Sequence, residues 1–167
     1  MLDRLARIGA EAGALLKERG QTVAVVDGST GGLISAGLLA VAGASAVYLG
    51  GGVIYTVKGR RIVLDHPPGS LRGMTSATED YALAQARLIR ARYGADWGIA
   101  ETGASGGSAH PLGVASGTSA IGVAGPHGVE AALRVVTESD DRLANMQAFA
   151  EHALALLRDT LAGYSGS

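Results

Sequence analysis

Val23-Ala24-Val25-Val26-Asp27-Gly28-Ser29-Thr30-Gly31-Gly32 runs directly into Leu33-Ile34-Ser35-Ala36-Gly37-Leu38-Leu39. Four successive apolar residues predict a strand buried on both faces. A carboxylate follows, then small and hydroxylated residues, then an apolar run long enough for a helix. The turn therefore sits at the carboxyl end of a strand and the amino end of a helix. Free backbone N–H groups there attract anions, and ligands collect at this edge of open α/β sheets. Small residues let a ligand approach the backbone. The alternative is a plain strand-to-helix connection with Ser29 or Thr30 as N-cap. The turn matches neither the P-loop nor the dinucleotide fingerprint.

The length of 167 residues suits one domain with a core of useful size. Hydrophobic residues make up 47% of the chain but aromatic ones only 4%, so that core must be built from Ala, Val, Leu and Ile in close contact. A formal net charge of -1 provides no overall basic field for nucleic acid or an anionic membrane. The absence of cysteine excludes disulfides and cysteine nucleophiles. Charges interrupt Met1-Leu2-Asp3-Arg4-Leu5-Ala6-Arg7, unlike the apolar region of a signal peptide. No apolar run reaches membrane-spanning length without glycine or polar interruption. These features predict a soluble, cytoplasmic domain.

Outward from the opening stretch, Leu2, Leu5, Ile8, Ala12, Leu15 and Leu16 fall at helical spacing, with Gly20 as a stop. The helix after Gly32 should end near Gly43. Ala46 to Thr56 reads as a strand in which Gly50, Gly51 and Gly52 permit a bend or the close approach of another backbone. Tyr55, near its end, either aims a phenol at a pocket or is a half-buried edge tyrosine. Lys58, Arg60 and Arg61 form a basic cluster that suits a solvated turn or a phosphate. Asp65-His66-Pro67-Pro68-Gly69 is a loop. Ser76-Ala77-Thr78-Glu79 reads as a capping box for a helix reaching Gly94, with Ala82, Leu83, Ala86, Leu88 and Ile89 as its apolar stripe.

Trp97 to Ala100 is then a short buried strand ending at Glu101-Thr102, followed by the irregular, glycine-rich Gly103 to Gly113. A long ordered loop after a strand is often functional. His110 reads as a solvent-exposed loop histidine. The four histidines show no metal-ligand spacing, so no metal site is expected. Thr118 to Ala124 is another strand, and Val129 to Val136 returns beside it, antiparallel. Ser139, Asp140 and Asp141 cap a last helix with the stripe Leu143, Met146, Phe149, Ala153, Leu154, Leu157 and Leu161. Strands interleaved with helices predict a single-domain three-layer α/β/α fold with a mixed, mostly parallel sheet. The domain is expected to span residues 1–163, with 164–167 as a flexible tail.

Several of these stretches resemble one family together. Val26-Asp27-Gly28-Ser29-Thr30-Gly31-Gly32 is similar to the A-E-S-[CS]-T-G-G motif of the CinA C-terminal domain family. Gly43-Ala44-Ser45-Ala46, Leu49-Gly50-Gly51 and Val53-Ile54-Tyr55-Thr56 match its second block. Glu101-Thr102-Gly103-Ala104-Ser105-Gly106, with Gly117-Thr118 later, matches its T-G-x-[AS]-G loop and the strand that follows. The resemblance covers nearly the whole chain.

It implies similarity to nicotinamide-nucleotide amidases, which hydrolyse a carboxamide to the acid and ammonia without a metal or organic cofactor. The family's serine nucleophile falls at Gly28, its lysine at Arg60 and its tyrosine at Tyr55, so only the last transfers intact. Glycine has no nucleophile, and arginine is a poor base that binds phosphate well. The expected reaction is therefore weak or absent unless Ser29 or Thr30 attacks and Tyr55 assists proton transfer. N–H groups near Thr30 and Gly31 would then stabilise the oxyanion. The expected substrate-binding set is Asp27, Gly28, Gly31, Gly32, Arg60, Arg61, Thr102, Gly103 and Gly106. The alternative is a non-catalytic nucleotide-binding or regulatory module in the same pocket. A third possibility is a structural subunit of an assembly. The expected partners are a small-molecule nucleotide and, from the small-residue faces, further copies in a homo-oligomer, with no nucleic acid and no membrane.

Overall fold

The structure, a computed structural model, describes residues 1–166. Ser167, part of the expected tail, lies outside the described residues. In chain order the elements are α1 Leu2–Arg19, β1 Val23–Asp27, α2 Leu33–Leu39, β2 Tyr48–Val53, α3 Val57–Leu64, α4 Glu79–Tyr93, β3 Trp97–Ala104, β4 Thr118–Ala124, β5 Glu130–Val136 and α5 Arg142–Gly163. One five-stranded sheet has the order β2-β1-β3-β4-β5. β1 pairs in parallel with β2 and β3, while β4 is antiparallel to both β3 and β5. Four strands thus run one way and β4 the other.

Strand alternation divides the core into two layers. Val23 and Val25 of β1 face a cluster with Leu5, Leu16, Ile34, Phe149 and Leu157, so α1, α2 and α5 cover that side. Ala24 and Val26 face the other side, against Leu64 of α3 and Ala86 and Ile89 of α4. This is the expected three-layer α/β/α fold, and β1 is buried on both faces as its unbroken apolar run requires. No helix among the described residues is long and apolar enough to cross a membrane.

Several local expectations shift. α2 ends at Leu39 rather than near Gly43. Lys58, Arg60 and Arg61 lie in helix α3, whose N-cap Thr56 accepts from the Gly59 N–H, and not in a turn. The cap of α4 is Thr78, which accepts from the Tyr81 N–H; Ser76 lies outside the helix. Ala77 between them takes a left-handed φ of 59°, a turn the capping-box pattern does not anticipate. β3 continues through Thr102, Gly103 and Ala104 because these residues pair with Ala120, Ser119 and Thr118. Leu143, assigned to the buried stripe of α5, is 73% exposed, and Leu2 on α1 is 50% exposed. Beyond α5, Tyr164 stacks edge-on against Trp97, with ring centroids 5.3 Å apart, and its carbonyl accepts from Arg19 Nη2 at 2.7 Å.

Candidate active site

After β1 the chain must pass close over β3. At Gly28 a Cβ would lie 2.3 Å from the Glu101 carbonyl oxygen, so only glycine fits this crossing. The next residue, Ser29, is buried and donates its hydroxyl to Glu101 Oε1 at 2.6 Å. Ser119 on β4 donates to the same oxygen, and the Thr30 N–H donates to Oε2 at 3.0 Å. Glu101 is fully buried. Burial pushes its pKa above the ordinary carboxylate value, and the charge of Asp27 pushes the same way. The hydrogen bonds from Ser119, Ser29 and Thr30 work against that rise.

Ser29 and Glu101 form the floor of a cleft of about 490 Å³ at the carboxyl ends of β1 and β3. Gly103 keeps the floor open: a Cβ there would lie 2.8 Å from both the Ser29 hydroxyl and Glu101 Oε1. Tyr55 and Thr56 form one wall, Tyr81 and Gln85 of α4 another, and the segment from Ser105 to Leu112 a third. Arg142, the first residue of α5, joins two of these walls. Its Nη2 donates to the Tyr55 hydroxyl at 2.7 Å and its Nη1 to the Gly106 carbonyl at 2.6 Å. Tyr55 is thus neither free nor half-buried: it is 69% exposed and tethered by Arg142. The Ser105 carbonyl is held by Asn145 Nδ2 and the Gly107 N–H by Asp140 Oδ1, so α5 and the residues just before it anchor the loop. The bonds from the Gly107 N–H and Ser116 hold the Asp140 carboxyl below its ordinary range.

Of the expected residues, the structure brings Gly28, Ser29, Tyr55, Thr102, Gly103 and Gly106 to the cleft. The others lie elsewhere. Thr30 is fully buried and donates its hydroxyl to Asp27 Oδ1. Asp27 Oδ1 also accepts from the Ile34 N–H at 2.9 Å, and Oδ2 accepts from the N–H and hydroxyl of Ser35. The anion at the start of α2 is therefore Asp27 itself, turned away from the cleft. Gly31 and Gly32, with φ of 65° and 102°, shape that turn without lining the cleft. The N–H groups expected to form an oxyanion hole have partners already: Thr30 donates to Glu101 and Gly31 to the Gly28 carbonyl. Arg60 and Arg61 are also absent from the cleft wall; Arg60 Nη1 reaches only the outer hydroxyl of Tyr81, at 2.7 Å. His110, expected in solvent, is half-buried at the cleft rim, and its Nδ1 accepts from the Leu112 N–H.

Glu101 and Arg142, which line the cleft, were not among the site residues expected from the sequence. A lone carboxylate after Trp97-Gly98-Ile99-Ala100 was a usable signal, because a charge in a buried strand needs partners. Arg142 carried none beyond its place beside a helix cap. No group of three or more His, Asp or Glu side chains gathers to hold a metal among the described residues.

A family model of the CinA C-terminal domain matches residues 5–161. A CinA-like protein of Anaeromyxobacter dehalogenans is 38% identical over 145 residues, covering 87% of this chain and 35% of the relative. A CinA-like protein of Parasynechococcus marenigrum is 34% identical over 152 residues, covering 91% of this chain and 36% of the relative. The chain thus spans about a third of the length of these curated relatives. Among solved structures, competence damage-inducible protein A from Klebsiella pneumoniae superposes with a TM-score of 0.86 at 26% identity, covering 96% of this chain and 99% of that one. A competence/damage inducible protein from Agrobacterium tumefaciens shares the fold with a TM-score of 0.84 at 23% identity, covering 94% of this chain and 95% of that one. With the matched region running from α1 to α5, the chain belongs to the CinA C-terminal domain family.

Proposed function

We propose that this domain is an amidohydrolase of the nicotinamide-nucleotide type, slow in the family reaction, with Ser29 as nucleophile and Glu101 as its base. The observation that carries this reading is the 2.6 Å hydrogen bond from Ser29 to a fully buried Glu101 at the floor of an open cleft. A serine hydroxyl attacks only when a positioned group removes its proton, and a carboxylate with a raised pKa is a stronger base than one in water. Ser29 Oγ attacks the carboxamide carbon while Glu101 takes the proton. The C–N bond then breaks, the proton leaves with ammonia, and water hydrolyses the serine ester. The Tyr55 hydroxyl accepts from Arg142, which leaves its own hydrogen free to donate to the substrate's carbonyl oxygen. Arg142 presents positive charge to a nucleotide phosphate at the rim. The setting that fits is salvage of nicotinamide nucleotides in the cytoplasm, by a homo-oligomer.

The test is ammonia release from nicotinamide mononucleotide by purified protein. Ser29→Ala should lower the rate at least about 100-fold, whereas Thr30→Ala should act on stability instead. An unchanged rate in Ser29→Ala removes Ser29 as the nucleophile. A second reading, a nucleotide-binding module without turnover, draws on the occupied Thr30 and Gly31 N–H groups, which leave that turn no oxyanion donor. Calorimetric binding of the nucleotide with no ammonia release would favour it.

A further inference from the structure

Arg60 reaches the cleft only through the Tyr81 hydroxyl, and it lines a second hollow of about 450 Å³. Arg61 of α3, His66, and Leu71 and Arg72 of the following segment complete its walls. Three arginines therefore share the wall of one hollow that no carboxylate lines. The neighbouring acid, Asp65, is paired with Arg92 at 3.4 Å instead.

Two buried side-chain atoms of residues that line this hollow have no hydrogen-bond partner among the described residues: Arg60 Nε and His66 Nε2. Buried polar groups in folded proteins nearly always have partners, so an orphaned guanidinium N–H is the mark of a missing acceptor. His66 Nδ1 sits 3.1 Å from the Pro67 carbonyl, an acceptor, so Nδ1 carries the hydrogen there.

We propose that this hollow is a binding site, separate from the cleft, for the phosphate group of a small molecule. Three guanidiniums match a doubly charged group with three or more acceptor oxygens better than a carboxylate with two. A local hollow, rather than an extended basic track, suits a free phosphate or a phosphomonoester.

The experiment follows the Arg Nε–Hε signals of the nitrogen-15-labelled chain by NMR while inorganic phosphate is added, with ionic strength held constant by chloride. The Arg60 signal should shift saturably. Arg61→Ala and Arg72→Ala should each weaken binding by about 5-fold or more, and Arg142→Ala, which removes the cleft's own arginine, should leave it unchanged. Adenosine monophosphate titrated in parallel distinguishes the source. Tighter saturation by the nucleotide points to a phosphomonoester and tighter saturation by phosphate to the free ion, and either sustains the site. If neither ligand shifts Arg60, or if Arg142→Ala abolishes binding while Arg61→Ala and Arg72→Ala do not, the proposal is overturned.

Discussion

Glu101 accepts all three of its hydrogen bonds from groups that shape the cleft, so its protonation state bears on chemistry and stability together. In its proposed role as base for Ser29 it must be ionised, and burial raises its pKa. The rate of amide hydrolysis should therefore climb with pH, with a midpoint above the ordinary glutamate range, and Glu101→Gln should lower it at every pH. A flat profile between pH 4 and 8 would refute the assignment. Stability runs the other way. The native state holds this proton more tightly than the unfolded chain, whose value lies near 4.5. The contribution of Glu101 is therefore complete below that value and is lost as pH rises through the folded pKa. Glu101→Gln sets an amide N–H against the Thr30 N–H, at a cost of about 1–3 kcal/mol. Urea unfolding should show that cost largest near pH 4 and shrinking as pH increases. Gly28 offers a second residue-scale test, because the resemblance implies serine there. With a Cβ only 2.3 Å from the Glu101 carbonyl, Gly28→Ser should destabilise by about 1–3 kcal/mol and not raise activity. A gain in ammonia release would show that β1 and β3 can separate to admit a nucleophile.

The amino end of α5 is the element that holds the cleft's third wall in place. Asn145 is buried, donates from Nδ2 to the Ser105 and Ser139 carbonyls at 2.8 Å each, and accepts from the Thr137 hydroxyl through Oδ1. Asn145→Ala should cost about 2–4 kcal/mol, because it strands buried carbonyls. Hydrogen exchange at the Gly107 amide should quicken as the loop loosens; unchanged exchange would mean that Asp140 and Arg142 suffice to hold it. The sequence makes α5 itself easy to read, since Phe149, Ala153, Leu154, Leu157 and Leu161 repeat at helical spacing. It also makes β1 and the β4–β5 return legible, because strands buried on two faces or paired through a short turn have local signatures. The site is harder. Ser29 and Glu101 lie 72 positions apart, and Tyr55 and Arg142 lie 87 apart, so no window of sequence contains either pair. Asp27 misleads for a related reason. A carboxylate before a glycine-rich turn suits a ligand as well as a cap, and only the direction in which α2 leaves the turn decides between them.

At the scale of the whole molecule, the two faces of the sheet are packed by different means. One side holds large side chains, including Trp97, Phe149 and Leu157. The other is built on Ala24, Ala86, Ala95, Ala100 and Ala124, with α4 pressed close to the strands. Gly98 and Gly122 make that approach possible. A Cβ on Gly98 would lie 2.1 Å from the Ala86 carbonyl oxygen, and one on Gly122 would lie 2.5 Å from the Leu83 nitrogen. α4 also brings Tyr81 and Gln85 to the cleft, so its height above the sheet sets the width of the site. The two layers should therefore respond differently to substitution. Phe149→Ala opens a cavity on the side away from α4 and should cost about 3–5 kcal/mol while leaving KM unchanged. Gly98→Ala overfills the closer side and should cost about 1–3 kcal/mol, but it lifts α4 and should raise KM as well. Urea unfolding measured beside steady-state ammonia release separates the two effects. If Gly98→Ala loses stability with KM unaltered, the cleft does not take its width from α4; if Phe149→Ala raises KM, the two layers are mechanically coupled through β1.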